Sequence, residues 1–124
     1  MRSWEKKIGK FIDKAVSSLI AYEDADGGID PVTQAKLILM ERHGIKELWF
    51  STRISFTIVE LFRSHHNALI YFYHKSFLKL VYLTGTLEVL EIADAGDLFD
   101  CVLKFTAVKA TYSTNIKSDE FSVL

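Results

Sequence analysis

Apolar positions along this chain of 124 residues change period several times, and each change marks an expected element. Trp4, Ile8, Phe11, Ile12, Ala15, Leu19 and Ile20 recur at three- and four-residue intervals, with Lys6, Lys7, Lys10, Lys14 and Ser17 mostly opposite. That stripe predicts a helix over 4–22 that packs one face on its own domain. Paired glycines at 27 and 28 interrupt it. Asp30 then stands as an N-cap, and Pro31 occupies a first helical position, where no N–H is needed. The second helix is expected over 31–43, burying Val32, Ala35, Ile38 and Leu39, with Gly44 as its left-handed terminator.

Two periods compete between 45 and 66. Residues 46–51 read as a short strand. In 53–62, Ile54, Phe56 and Ile58 alternate, while Ile54, Ile58, Leu61 and Phe62 also fit a helix face. The density of β-branched and aromatic residues favours strand. Strands then follow over 68–74, 77–84 and 86–92, with turns at Lys75-Ser76 and Thr84-Gly85. One face carries Ile70, Phe72, Val81 and Leu83; the other carries Leu69, Tyr71, Tyr73, Leu78, Leu80 and Tyr82. Glu88 and Glu91, on opposite faces, mark the last strand as an edge. Ala95-Gly96-Asp97 opens a final helix with Leu98, Cys101, Val102, Phe105, Val108 and Tyr112 at helical spacing. Residues 113–124 read as a polar tail with room to be flexible. The expected fold is a single α+β domain over 1–124: two N-terminal helices, an antiparallel β-meander of three to five strands, and a C-terminal helix across one face.

Composition narrows the class. A hydrophobic fraction of 49% with 25% charged residues is globular. Fifteen Lys and Arg against sixteen Asp and Glu leave a net charge of -1, which argues against nucleic acid as a partner, since phosphate neutralisation supplies much of that affinity. Cys101 is the only cysteine, so no internal disulfide can form, and a reducing compartment is expected. Lys10, Asp13 and Lys14 interrupt any signal-peptide core, and no uncharged run reaches the roughly 18 residues of a membrane span. A cytoplasmic location away from the membrane follows.

Little of the chain is chemically reactive. His43, His65, His66 and His74 are the side chains that normally titrate near neutrality. Neighbouring histidines on an extended segment point to opposite faces, and no spaced set of Cys, His and carboxylate ligands accompanies them, so no metal site is expected. Counting a calcium loop from Asp24 puts Ile29 at the turn-glycine position and Ala35 where a bidentate Glu is needed. Cys101 falls on an apolar face and reads as core. Nucleophile-elbow, P-loop and dinucleotide motifs are absent, so no cofactor is expected. Ser122-Val123-Leu124 matches the pattern of a carboxylate ligand for a peptide-binding groove, a pattern short enough to arise by chance.

Apolar side chains on both faces of the central strands need cover from another layer or another protein. The preferred reading is therefore a small cytosolic protein-binding protein without catalysis, of immunity or antitoxin type or of chaperone type. Glu23, Asp24 and Asp26 would meet a basic toxin, and Tyr71, Tyr73 and Tyr82 would face a client or a second copy in a homodimer. The enzymatic alternative is a small RNase-type toxin, with Arg42, Arg53, Arg63 and Lys75 on phosphates and His65 or His74 as acid–base.

Overall fold

A computed structural model describes residues 2–15, 17–74, 79–114 and 117–123. Its elements run α1 (Ser3–Lys14), β1 (Ser17–Glu23), β2 (Ile29–Pro31), β3 (Ile38–His43), β4 (Glu47–Ile54), α2 (Phe56–Ser64), β5 (Asn67–Tyr73), β6 (Lys79–Ala95), β7 (Leu98–Thr114) and β8 (Ser118–Ser122). Helices and strands are both present, but the expected two N-terminal helices, three- to five-stranded meander and C-terminal helix are replaced by one antiparallel sheet of eight strands with two helices, and no helix follows β6 among the described residues.

The first helix stops at Lys14 instead of running to Tyr22. From Ser17 the chain is extended and pairs through Tyr22 with β5, Ile20 lying opposite Ile70. Leu19 and Ile20 sit in phase with the helical stripe by coincidence, and the ladder they form with a distant strand overrides it. The expected second helix is absent too. Pro31 ends β2, an edge strand in which its missing N–H costs no ladder bond. A connection then buries Val32, Ala35 and Leu37 before β3 begins. Gly44 does take a left-handed φ of 60°, but in the β3–β4 hairpin.

Residues 53–62 divide between the two competing periods. Strand β4 continues through Ile54, and α2 starts after Ser55, whose Oγ accepts a hydrogen bond from the Ile58 N–H at 3.4 Å. Ile58, Val59 and Phe62 form the buried helical face. The strand expected over this stretch is therefore a helix for most of its length.

At the other end, β6 and β7 make a hairpin with 17 residues in each strand, turning at Gly96 with φ 79°. In β7, Cys101, Leu103, Phe105 and Ala107 are buried at a period of two, and the β-branched Thr106, Val108 and Thr111 suit a strand. Gly85 is not a turn residue. It lies inside β6 at a break in register with β7. The tail residues Ser118–Ser122 form β8, and the ring of Phe121 stacks on Trp4 at 4.6 Å. Val123 is buried and its N–H bonds to the Val108 carbonyl, so it is not free to enter a partner's groove. The Lys75-Ser76 turn and Leu78 lie outside the described residues.

Strand order is β2-β1-β5-β6-β7-β4-β3, with β8 on β7. One edge of β7 serves two neighbours, β4 along 99–106 and β8 along 109–113. The sheet therefore divides about the long hairpin. Its halves curl together, as shown by buried Phe50 of β4 and Phe72 of β5, which stack at 6.4 Å although their strands are not neighbours. Ile70, Phe72, Val81 and Leu83 point into this enclosed core, while Tyr71, Tyr73 and Tyr82 are only partly buried on the other face. The sheet covers its own inner face by closing, which no single strand's pattern reveals.

Candidate functional site

Alternation in β4 buries Leu48, Phe50, Thr52 and Ile54 and turns Ser51 and Arg53 outward. Register carries this face across the sheet. Ile38, Ser51, Val102 and Glu91 stand in one row, and Arg53, Asp100 and Ala93 in the next. With Lys36 and Ile92 they line a groove of about 910 Å³. Apolar surface comes from Ile38 on the β3 flank, Val102 in the middle and Ala93 on the β6 flank, with Ser51 and the Arg53–Asp100 pair between the two flanks. Charge is divided across it: Lys36 and Arg53 belong to the β3–β4 flank, Asp100 and Glu91 to the β7–β6 flank.

Arg53 donates from Nε to Asp100 Oδ1 at 2.7 Å and from Nη2 to Oδ2 at 3.2 Å. This hydrogen bonding holds the Asp100 carboxyl below its ordinary range and lifts the Arg53 guanidinium further above neutrality. Their side chains remain 61% and 51% exposed, so the pair is open to exchange with solvent or an anion. Lys36 makes no ion pair, and the Ser51 hydroxyl no hydrogen bond, among the described residues. The buried Thr52 hydroxyl donates to the Lys36 carbonyl at 2.8 Å and ties that flank to β4. Burial, and secondarily Asp100, pushes the Cys101 thiol up. It therefore stays protonated at neutral pH and is no thiolate nucleophile.

The residues singled out from sequence lie elsewhere. Asp24 Oδ1 accepts the N–H groups of Asp26 at 3.0 Å and Gly28 at 2.8 Å, so this carboxylate closes the β1–β2 turn. Glu23 pairs with Ile29 in the β1–β2 ladder, and Asp26 is exposed in the turn. Tyr71, Tyr73 and Tyr82 cluster on β5 and β6, with ring centroids 6.4 Å apart for Tyr71–Tyr73 and 5.1 Å for Tyr71–Tyr82. Burial, then Tyr82 and Tyr73, raises the Tyr71 hydroxyl pKa.

Among the described residues, the groups proposed for RNA cleavage are engaged with separate partners. Arg42 binds Asp13 and the Gly44 carbonyl, and Arg63 pairs with Glu60. His74 stacks on Phe11 at 3.9 Å, and His65 tilts against Tyr22 at 4.5 Å. Lys75 lies outside the described residues. Among those described, no group of three or more His, Cys, Asp and Glu is placed to hold a metal ion, and no helix is long and apolar enough to cross a membrane. Sequence reasoning missed Lys36, Ser51, Asp100 and Glu91. Outward Ser51 and Arg53 are legible in the alternation of β4. The apolar spacing around Asp100 reads as a helix, so its place opposite Arg53 is not legible in the sequence.

No family model and no curated protein matches the sequence. Solved structures do match in shape. A protein from Clostridium acetobutylicum, described as related to general stress protein 26 and of the pyridoxinephosphate oxidase family, is 18% identical, with 97% of this chain and 94% of that chain covered and a TM-score of 0.78. An FMN-binding protein related to pyridoxamine 5'-phosphate oxidase, from Nostoc punctiforme, is 10% identical over 100% and 98% of the two chains, with a TM-score of 0.66. A NimC/NimA family protein from Clostridium acetobutylicum is 15% identical over 96% and 92%, with a TM-score of 0.63. These neighbours are not immunity, antitoxin, chaperone or RNase-toxin proteins, and the readings that placed the chain in those classes are corrected accordingly. Their common architecture identifies the fold of this chain as the split barrel of pyridoxamine phosphate oxidase-like proteins.

Proposed function

We propose that the groove between β3 and β6 binds a planar, phosphate-bearing cofactor of the flavin mononucleotide type, and that the protein acts as a small cytoplasmic flavoprotein. The observation that carries this reading is the divided lining of the groove. Val102, Ile92 and Ala93 on the β7–β6 half and Ile38 at the β3 edge offer apolar surface to a ring system, with Lys36, Arg53 and Ser51 on the β3–β4 half. Two cations and a free hydroxyl suit a phosphate, and Arg53 engages only two of its five N–H donors. The volume falls within the range of small-molecule sites. Glu91 repels a phosphate from the β6 flank and so gives the ligand one direction. Support from known proteins comes from the FMN-binding protein of the same fold.

A bound flavin would supply one- and two-electron transfer. The chain's own residues bind and orient: the cations hold the phosphate, and the apolar surface excludes water from one ring face. Titration of the purified protein with FMN, followed by flavin fluorescence, tests the reading. Saturable quenching is expected, weakened far more by K36Q/R53Q for FMN than for riboflavin, which lacks the phosphate. Equal, non-saturating responses to both ligands by wild type and variant would remove this function.

A second copy of the chain is the partner that the same face favours. Met40 and Leu90 fall at breaks in strand register and are 58% and 44% exposed, beside an equally open Ile38. Large apolar side chains in this position mark interaction surfaces. Under a twofold axis, the Lys36 flank of one copy meets the Glu91 flank of the other, which makes the surface self-complementary.

A further inference from the structure

We infer that Asp100 is a built-in competitor for the anion position on Arg53, and that a phosphate group enters the groove by displacing this carboxylate. The inference rests on the binding reading given above. Three observations support it. Arg53 and Asp100 are directly opposite in the β4–β7 register, so the ladder holds their backbones at a fixed spacing and the pair forms without outside help. Their two hydrogen bonds reproduce the forked contact that guanidinium makes with a phosphate. Both side chains line the groove and are more than half exposed, so the carboxylate can swing into water when a stronger anion takes its place.

Displacement has a cost that falls only on ligands carrying an anion. A neutral ring meeting the apolar surface leaves the pair intact. A phosphate must first outcompete Asp100, and gains Lys36 as a second cation when it does. The groove thus binds phosphate esters more weakly than its cation count implies, and Asp100 sets that margin. Glu91 shares the groove but has no hydrogen bond to Arg53 among the described contacts, and serves as the control for charge alone.

The test uses the full chain with D100N, E91Q, R53Q and R53Q/D100N, and two probes. Inorganic phosphate is titrated while the Arg53 Nε–H resonance is followed by NMR, and FMN and riboflavin binding are measured by fluorescence. D100N is expected to respond to phosphate at roughly two- to fivefold lower concentration than wild type, in keeping with an exposed pair. E91Q should shift the response less than D100N does. The FMN gain of D100N should vanish in R53Q/D100N relative to R53Q, while riboflavin binding stays unchanged throughout. Equal gains from D100N and E91Q, or no gain from D100N, would overturn the displacement. If wild type binds neither flavin, the flavin reading fails, and the phosphate titration of Arg53 still decides whether Asp100 competes.

Discussion

The carbonyl oxygen of Thr106 lies where a Cβ on Gly85 would stand, with the Cα of Ala107 close behind at 2.9 Å from that position. Gly85 has no left-handed backbone angle; what it provides is the absence of a side chain. Its ladder partner is Ala107, and Val108 is left unpaired at the break in register. Backbone of β7 comes up against β6 here, just where the sheet divides between β4 and β8. Any side chain must push the strands apart, because both obstructing groups are backbone. G85A is expected to lower stability by about 3 kcal/mol or more, or to prevent folding. Urea unfolding measures it, and a loss below about 1 kcal/mol would show that the ladder yields.

Phe50 and Phe72 join the two halves across the enclosed core. Truncating either to Ala should cost on the order of 3–5 kcal/mol, since both are buried and their surroundings come from separate strands. The double variant should show a coupling of about 0.5 kcal/mol or more, as touching residues do. Simple additivity would mean that the stacked rings contribute area alone.

Arg42 clamps α1 to the β3–β4 turn. Its guanidinium lies against Gly9, donates to Asp13 at 2.8 and 2.7 Å, and donates to the Gly44 carbonyl at 2.8 Å. The Arg42 hydrogen bond lowers the Asp13 pKa from its ordinary 3.8, against an opposing contribution from burial. A depressed carboxylate pKa stabilises the fold above the unfolded value, and the benefit disappears as pH falls through the folded value. D13N should therefore lower Tm by a few degrees at pH 7, for a loss of about 1 kcal/mol or less at so exposed a pair. The two proteins should converge as pH falls below the lowered Asp13 value. A gap that persists in acid would assign the effect to packing.

Strand β8 completes the β7 edge along Lys109 to Ser113, and Phe121 covers Trp4. Deleting residues 115–124 would strip that edge and uncover Trp4. We expect a loss of about 2 kcal/mol or more and concentration-dependent aggregation, the usual fate of a bare edge. Thermal unfolding with light scattering reads both, and an unchanged Tm would show that the β8 pairing contributes little.

Self-association is expected through the face that carries Ile38, Met40 and Leu90. Light scattering should give twice the 14.2 kDa chain mass at micromolar concentration, and M40E/L90E should return it to the single-chain value. A single-chain mass for wild type over a wide concentration range would remove the second copy as partner.

Local pattern alone carried some of this fold. The stripe from Trp4 to Ile12 made α1, and the alternation of Asn67–Tyr73 sorted Ile70 and Phe72 to the core and Tyr71 and Tyr73 to the other face. Both signals report which side of one element meets water, and that is settled within a few residues. Long-range pairing decided the rest. Leu19 and Ile20 fit a helix until β5 supplies a ladder, and Leu98, Cys101, Val102 and Phe105 fit one until β4 and β6 flank them. Helical and extended conformations of such apolar runs are close in energy, so partners distant in sequence choose between them. The groove depends on that choice entirely. Arg53 and Asp100 are 47 residues apart, and only the β4–β7 register makes them neighbours.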